Sequence, residues 1–126
     1  MREIKFRGKR TDTGEWVYGD LQHVQRICTK EQTEQSGRRT KPAVRIANYD
    51  VDEKTIGQFT GLYDKIGRAV FEGDLLRGYD HVVVVGWLDG GFCGIKSDII
   101  EPLMYLDVED RDVIGNIHDN PELLTE

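Results

Sequence analysis

The segment GQFTGLYDKIGRAVFEGDLL, residues 57–76, decides the fold that we predict for this chain. It combines short apolar pairs with turn residues and alternating charge. The run YDKIG (63–67) predicts a tight turn closed by Gly67, and RAVFEGDLLRG (68–78) predicts a strand. The segment holds no nucleophile–base pair and no metal-ligand spacing, so we expect it to build structure and to feed the chain into a barrel.

The chain that follows continues the same pattern. HVVVVGWL (81–88) predicts a strand, and DGG (89–91) predicts a hairpin into FCGI (92–95). A bend, two strands, a tight turn and a further strand form a meander that closes a small barrel economically. The run DIIEPLMYL (98–106) is either a strand or a loop, and Pro102 excludes a central ladder position there.

Both ends of the chain also have recognisable patterns. EIKFRGK (3–9) and EWVYGDL (15–21) predict an N-terminal hairpin over residues 3–21, and HVQRIC (23–28) and AVRIANY (43–49) predict further strands. At the other end, Asn120 and Pro121 favour a cap and the first position of a short C-terminal helix.

One stretch differs from the rest. TKEQTEQSGRRTK, residues 29–41, has no apolar residue. It can bury nothing, so we predict a solvated loop, with order or disorder left open.

Length and composition favour one mainly β domain. The chain has 126 residues, with 14 glycines and 3 prolines, which favours many tight turns and short strands. We predict a single domain over residues 1–126, with N-terminal strands and the polar loop in residues 1–50 and the barrel and tail in residues 51–126.

Charge is unevenly distributed along the chain. The net charge of −6 works against general affinity for nucleic acid. Residues 1–41 hold 10 Lys/Arg and 6 Asp/Glu, whereas residues 42–126 hold 7 and 17. The split is either chance on a solvated surface, or a sign that the two halves or two copies attract each other.

The two cysteines and the start of the chain indicate a compartment. Cys28 and Cys93 are far apart, and MREIKFRGKR has no apolar leader segment. The longest strongly apolar run is VVVV (82–85), which is too short for a bilayer. We therefore expect a cytoplasmic protein with reduced thiols and no membrane partner.

No residue pattern points to catalysis, a cofactor or a metal ion. His23, His81 and His118 have no partner at ligand spacing, and a pairing of Cys93 with His81 across the hairpin stays open. The carboxylates beside predicted turns have a structural explanation, because Asp favours turns. They are Asp64, Glu72, Asp74, Asp80 and Asp89.

Two groups of side chains are candidates for binding. Tyr63 and Tyr79 lie in turns beside acids and could be exposed aromatics that contact a partner, whereas Trp16 and Trp87 are expected in the core. The second group could contact phosphates, or it could be an ordinary solvated strand face. Its members are Lys5, Arg7 and Lys9, with Arg38, Arg39 and Lys41 from the polar loop.

The whole chain resembles the YopX family of bacteriophage and prophage proteins. The resemblance rests on MREIKFRGKR with GEWVYGDL, on IGQFTGLYDKIGRAVFEGDLLR and on VIGNIHDNPELL, in that order. It does not extend to TKEQTEQSGRRTK or IKSDIIEPLMYL. The resemblance implies an SH3-like barrel in the C-terminal half and a phage-associated protein of uncharacterised activity in a bacterial host. It implies no catalytic residues.

These observations favour a non-enzymatic accessory protein that acts through contacts with another protein. The N-terminal half has few residues for a core of its own, so its apolar face must lie on the barrel of the same chain or of another copy. With the charge split, this predicts a homo-oligomer. The alternatives are a nucleic-acid-binding module that uses the basic N-terminal face, and an enzyme.

Overall fold

The structure, a computed structural model, describes residues 3–78 and 81–125. It divides the chain into two compact units, residues 5–56 and residues 57–125, with residues 3–4 grouped with the second. Both units are built mainly from antiparallel strands. The predicted mainly β class is therefore confirmed.

The unit of residues 5–56 contains two antiparallel groups of strands. Strands β1 and β2 pair as a hairpin, with Phe6 opposite Gly19, as predicted for residues 3–21. Strand β4 pairs with both β3 and β5. The elements are β1 (Phe6–Lys9), β2 (Trp16–Gly19), β3 (Leu21–Ile27), α1 (Lys30–Ser36), β4 (Thr40–Ile46), β5 (Tyr49–Asp50) and a 3₁₀ turn (Glu53–Thr55).

The polar stretch predicted as a loop contains helix α1. The Thr29 hydroxyl accepts the Gln32 N–H at 3.2 Å, and the Gln32 side chain accepts the Thr29 N–H at 3.0 Å. Gly37 ends the helix in the left-handed conformation, with φ of +73°. This reciprocal capping box and glycine cap define a helix locally. The loop prediction was wrong because it considered burial alone, although the signature T-x-x-Q followed by Gly was readable.

The unit of residues 57–125 contains a strand pair and a five-stranded sheet. Strand β6 pairs with β7, and the sheet has the order β11-β10-β9-β8-β12. The elements are β6 (Gly57–Tyr63), β7 (Ala69–Phe71), β8 (Asp74–Arg77), β9 (Val82–Leu88), β10 (Gly91–Lys96), β11 (Ile99–Pro102) and β12 (Asp112–Asn116), with 3₁₀ turns at Leu103–Tyr105, Val108–Asp110 and Pro121–Thr125.

The predicted meander of strands is present, but in the described residues it does not close into a barrel. Strands β8 to β11 follow one another as consecutive antiparallel neighbours. Within residues 3–78 and 81–125, none of the sheets closes into a barrel. The sequence predicted local pairings correctly, whereas closure depends on strand tilt and stagger, which alternation does not encode.

Two smaller predictions are confirmed. Asp89 and Gly90 both have positive φ, +53° and +80°, as a two-residue type I′ hairpin turn requires. Pro102 lies in β11, at the edge of the five-stranded sheet, where a missing N–H is tolerated.

The larger core lies in the unit of residues 57–125. Seven buried aliphatic side chains form it, and Phe92 and Val113 pack against it. Fully burying one such side chain is worth roughly 1.5–3 kcal/mol. The seven are Val70, Leu76, Val83, Val85, Leu103, Leu106 and Val108.

Candidate protein-binding surface

The turn between β6 and β7 is organised by a buried carboxylate. The Asp64 side chain has no exposed surface. One of its oxygens accepts the N–H groups of Ile66 at 3.1 Å and Arg68 at 2.8 Å. The other accepts the Arg68 guanidinium at 2.8 Å and the Val113 N–H at 3.0 Å. Asp64 thereby ties its own turn to β12.

These hydrogen bonds also keep Asp64 ionised. Burial raises the pKa of this carboxyl, but the donors from Val113 and Arg68 stabilise the anion more and hold its pKa below the ordinary value. A carboxylate whose two oxygens already accept four hydrogen bonds has little capacity left for acid–base chemistry. The structural role predicted for Asp64 is confirmed.

Glu72 and Asp74 serve the next turn in the same way. The Glu72 carboxylate accepts the Gln58 N–H at 2.9 Å, and the buried Asp74 accepts the Phe71 N–H at 2.8 Å. Glu72 thereby joins the β7–β8 connection to β6, and Asp74 binds the last residue of β7. Side-chain carboxylates thus hold together the turns within residues 57–76.

Beside the Asp64 turn lies a groove of about 410 Å³. The predicted contact residue Tyr63 is 51% exposed, and Met104 on its other wall is 76% exposed. We call it the acidic groove. Its lining includes Leu62, Tyr63, Met104, Asp107, Val108 and Glu109.

The acidic groove combines an apolar floor with a negative rim. Val108 is buried beneath it, and the carboxylates of Asp107 and Glu109 are exposed. Asp107 adopts the left-handed conformation, with φ of +48°, which Asp tolerates better than most residues. The arrangement suits a ligand that presents an apolar side chain beside positive charge.

Tyr79, the other predicted aromatic, lies outside the described residues, as does Asp80. Trp87, predicted in the core, is 47% exposed and contacts Phe92 edge to face at 4.8 Å. That prediction was wrong because the position falls near the end of β9, where the strand leaves the core. Trp16 is partly buried.

The predicted phosphate-contacting face is only partly solvated. Arg7 is buried, with its guanidinium 4.6 Å from the centre of the Trp16 ring. The Lys9 ammonium lies 5.6 Å from the same ring, and Lys5 is partly buried. The expectation of one solvated basic face is therefore wrong for Arg7, because its guanidinium packs on an aromatic ring.

Lys9 lines a second groove, of about 660 Å³, with Arg10, Arg26 and Lys41. Acids balance these cations, since the Arg26 guanidinium binds Asp50 and the Arg10 guanidinium binds Asp12. The hydrogen bonds from Arg26 lower the pKa of Asp50. The groove is therefore of mixed charge.

The remaining predicted cations, Arg38 and Arg39, are exposed between α1 and β4. The Arg39 carbonyl accepts the Cys28 N–H at 2.8 Å, which closes the connection between β3 and β4. Beside them lies Ile27, opposite Thr40 in the ladder and 87% exposed. Sequence reasoning missed Ile27, because alternation in HVQRIC gave no reason to single it out.

In the described part of the chain, the histidine and cysteine side chains do not come together to form a site. Cys93 is buried, and burial raises its pKa. It lies opposite Gly86 on β9, about 17 Å along the strand from His81, so the two do not pair. Within residues 3–78 and 81–125, no three His, Cys, Asp or Glu side chains are placed to hold a metal ion.

The model of one protein family, described as YopX protein, matches residues 5–125. The chain belongs to the YopX family. It is also similar to protein EF1440 from Enterococcus faecalis, known from a crystal structure. That protein is 28% identical and aligns with a TM-score of 0.57 over 98% of this chain and 99% of its own.

Among curated proteins, no match to the chain was found. None of the helices in the described residues has both the length and the apolar composition needed to cross a membrane.

Proposed function

We propose that this YopX protein is a non-enzymatic, phage-associated accessory protein that works in the host cytoplasm by contacting other proteins, copies of itself included. One observation supports the proposal above all. The acidic groove exposes Tyr63 and Met104 beside two exposed carboxylates, and large exposed apolar side chains grouped around a groove mark interaction sites.

The polar chemistry of the same unit favours binding over catalysis. Asp64, which lines the groove together with Asp107 and Glu109, is occupied by four hydrogen bonds that hold the turn together. Contact with a protein needs only shape, apolar area and charge, all of which the groove offers. The SH3-like character of the C-terminal half stays a prediction.

Site-specific photo-crosslinking tests the proposal. A photoreactive amino acid replaces Met104 in one version of the chain and Trp87 in a control version, and both are irradiated in the bacterial host. We expect protein adducts from position 104 and few from position 87. Absence of protein adducts at position 104, in a chain that folds normally, would contradict the proposal.

Nucleic-acid binding is the second candidate. It is favoured by the cluster of Lys9, Arg10, Arg26 and Lys41 around one groove, and opposed by the acids that balance them. Binding of this kind should be insensitive to sequence and should fall steeply with added salt. Salt-resistant, sequence-selective binding in a titration with labelled duplex DNA would favour this candidate over the first.

A further inference from the structure

We propose that the occupant of the acidic groove is a second copy of this chain, which inserts its exposed Ile27 and brings the nearby Arg38 and Arg39 to the groove rim. This inference rests on the proposed function, because it names the partner of the same groove. We call these three residues the basic tip. The tip and the groove belong to different units and are used head to tail between copies.

The basic tip presents an apolar anchor on a rigid support. Ile27 pairs with Thr40 in the ladder between β3 and β4, so its backbone position is fixed. Its side chain is 87% exposed, the largest exposure among the large apolar side chains of the described residues. A fixed anchor loses little conformational entropy on binding, which favours a specific contact.

The charges beside the anchor have the sign that the groove requires. Arg38 and Arg39 are exposed and follow directly after α1. Asp107 and Glu109 are exposed on the groove rim. An exposed isoleucine near two arginines therefore complements an apolar floor with two carboxylates on its rim.

The whole chain shows the same polarity. Residues 5–56 hold 11 Lys/Arg and 8 Asp/Glu, whereas residues 57–126 hold 5 and 14. Attraction between unlike units of two copies fits the head-to-tail contact that we propose, in which the surface given by one copy differs from the surface received by the next. Such a contact leaves one free tip and one free groove at the ends of an open array, and none in a closed ring.

Because the two surfaces of the contact differ, two variants can disable them separately. Ile27→Asp disables the tip and leaves the groove intact, whereas Met104→Asp disables the groove and leaves the tip intact. Both positions are exposed, so both variants should fold, which circular dichroism and thermal unfolding check. Ile99→Asp, at a position 60% exposed on β11, is the matched control.

Sedimentation velocity over a range of protein concentrations at low salt provides the readout. We expect the wild type and Ile99→Asp to associate, and each disabled variant to associate about ten-fold more weakly or worse. An equimolar mixture of the two disabled variants should form a dimer of twice the 14.4 kDa chain mass, since one intact tip meets one intact groove.

Three results would overturn the inference: a wild type that stays monomeric, an Ile27→Asp variant that associates as the wild type does, or a mixture that yields no dimer. Each leaves the proposed function standing if photo-crosslinking at position 104 still captures a different protein. Loss of all protein adducts at that position would instead remove the proposed function itself.

Discussion

Two polar connections between strands in this molecule are held in place in different ways. Between β6 and β7, Asp64 is buried and accepts four hydrogen bonds from its own turn and from β12. Between β3 and β4, helix α1 buries no residue and is held by its own caps. The first connection contributes to stability, whereas the second leaves its charges available to a partner.

The largest effect should follow removal of the Asp64 charge. Asp64→Asn replaces one acceptor oxygen by a donor that faces protein N–H groups, so we expect a loss of about 2–4 kcal/mol in the free energy of unfolding. Urea denaturation measures it. The same exchange at exposed Asp107 is the control, with an expected change within about 0.5 kcal/mol, and equal losses at the two sites would contradict the comparison.

The pH dependence of stability should report the same carboxylate. The pKa of Asp64 is lowered in the folded chain, whereas the unfolded chain titrates near the ordinary value of about 3.9. Its contribution is therefore complete above the unfolded pKa and lost as the pH falls through the folded one. Urea midpoints between neutral and strongly acidic pH should show a steeper decline for the wild type than for Asp64→Asn, and parallel curves would count against this account.

Proteolysis should distinguish the two connections directly. Trypsin should cut first within the exposed β3–β4 connection, at Lys30, Arg38 or Arg39, since α1 buries no residue and these sites are exposed. Cleavage at Arg68, whose guanidinium binds Asp64, should come later. Mass spectrometry of early fragments identifies the first site, and a first cut after Lys65 or Arg68 would reverse the comparison.

The smallest effect should follow loss of the helix cap. Thr29→Ala removes the side-chain acceptor for the Gln32 N–H, which destabilises α1 locally by about 0.5–2 kcal/mol. Because no residue of α1 is fully buried, global stability should change by less than about 0.5 kcal/mol. Hydrogen exchange should accelerate across Lys30–Ser36 alone; acceleration that extends into β4 would show that the helix supports the sheet.

The structural features that could be predicted from the sequence are those that nearby residues determine. The Asp89–Gly90 turn, the Asp64 turn and the edge position of Pro102 all follow from residue type and spacing. The Thr29 capping box was equally readable but was overlooked, because the stretch lacked apolar residues.

The rest depends on tertiary structure. The donor from Val113 to Asp64 joins residues 49 positions apart, and no local pattern marks it. The packing of Arg7 on Trp16 and the exposure of Ile27 and Trp87 likewise depend on how strands pair and where they leave the core. Of the two most exposed apolar side chains at the groove, Tyr63 was predicted as a candidate contact, whereas Met104 was not, because nothing near it in the sequence indicates exposure.

The central claim is that the acidic groove is a contact surface in the cell. Hydroxyl-radical footprinting tests it most directly, since Met104, Tyr63 and Trp87 are reactive and exposed. The chain is labelled in an extract of its bacterial host at a concentration at which copies can associate, and at high dilution in albumin of equal protein mass as the reference. We predict that oxidation of Met104 and Tyr63 slows several-fold in the extract while that of Trp87 does not change. Unchanged oxidation at Met104, or protection of Trp87 alone, would contradict the claim.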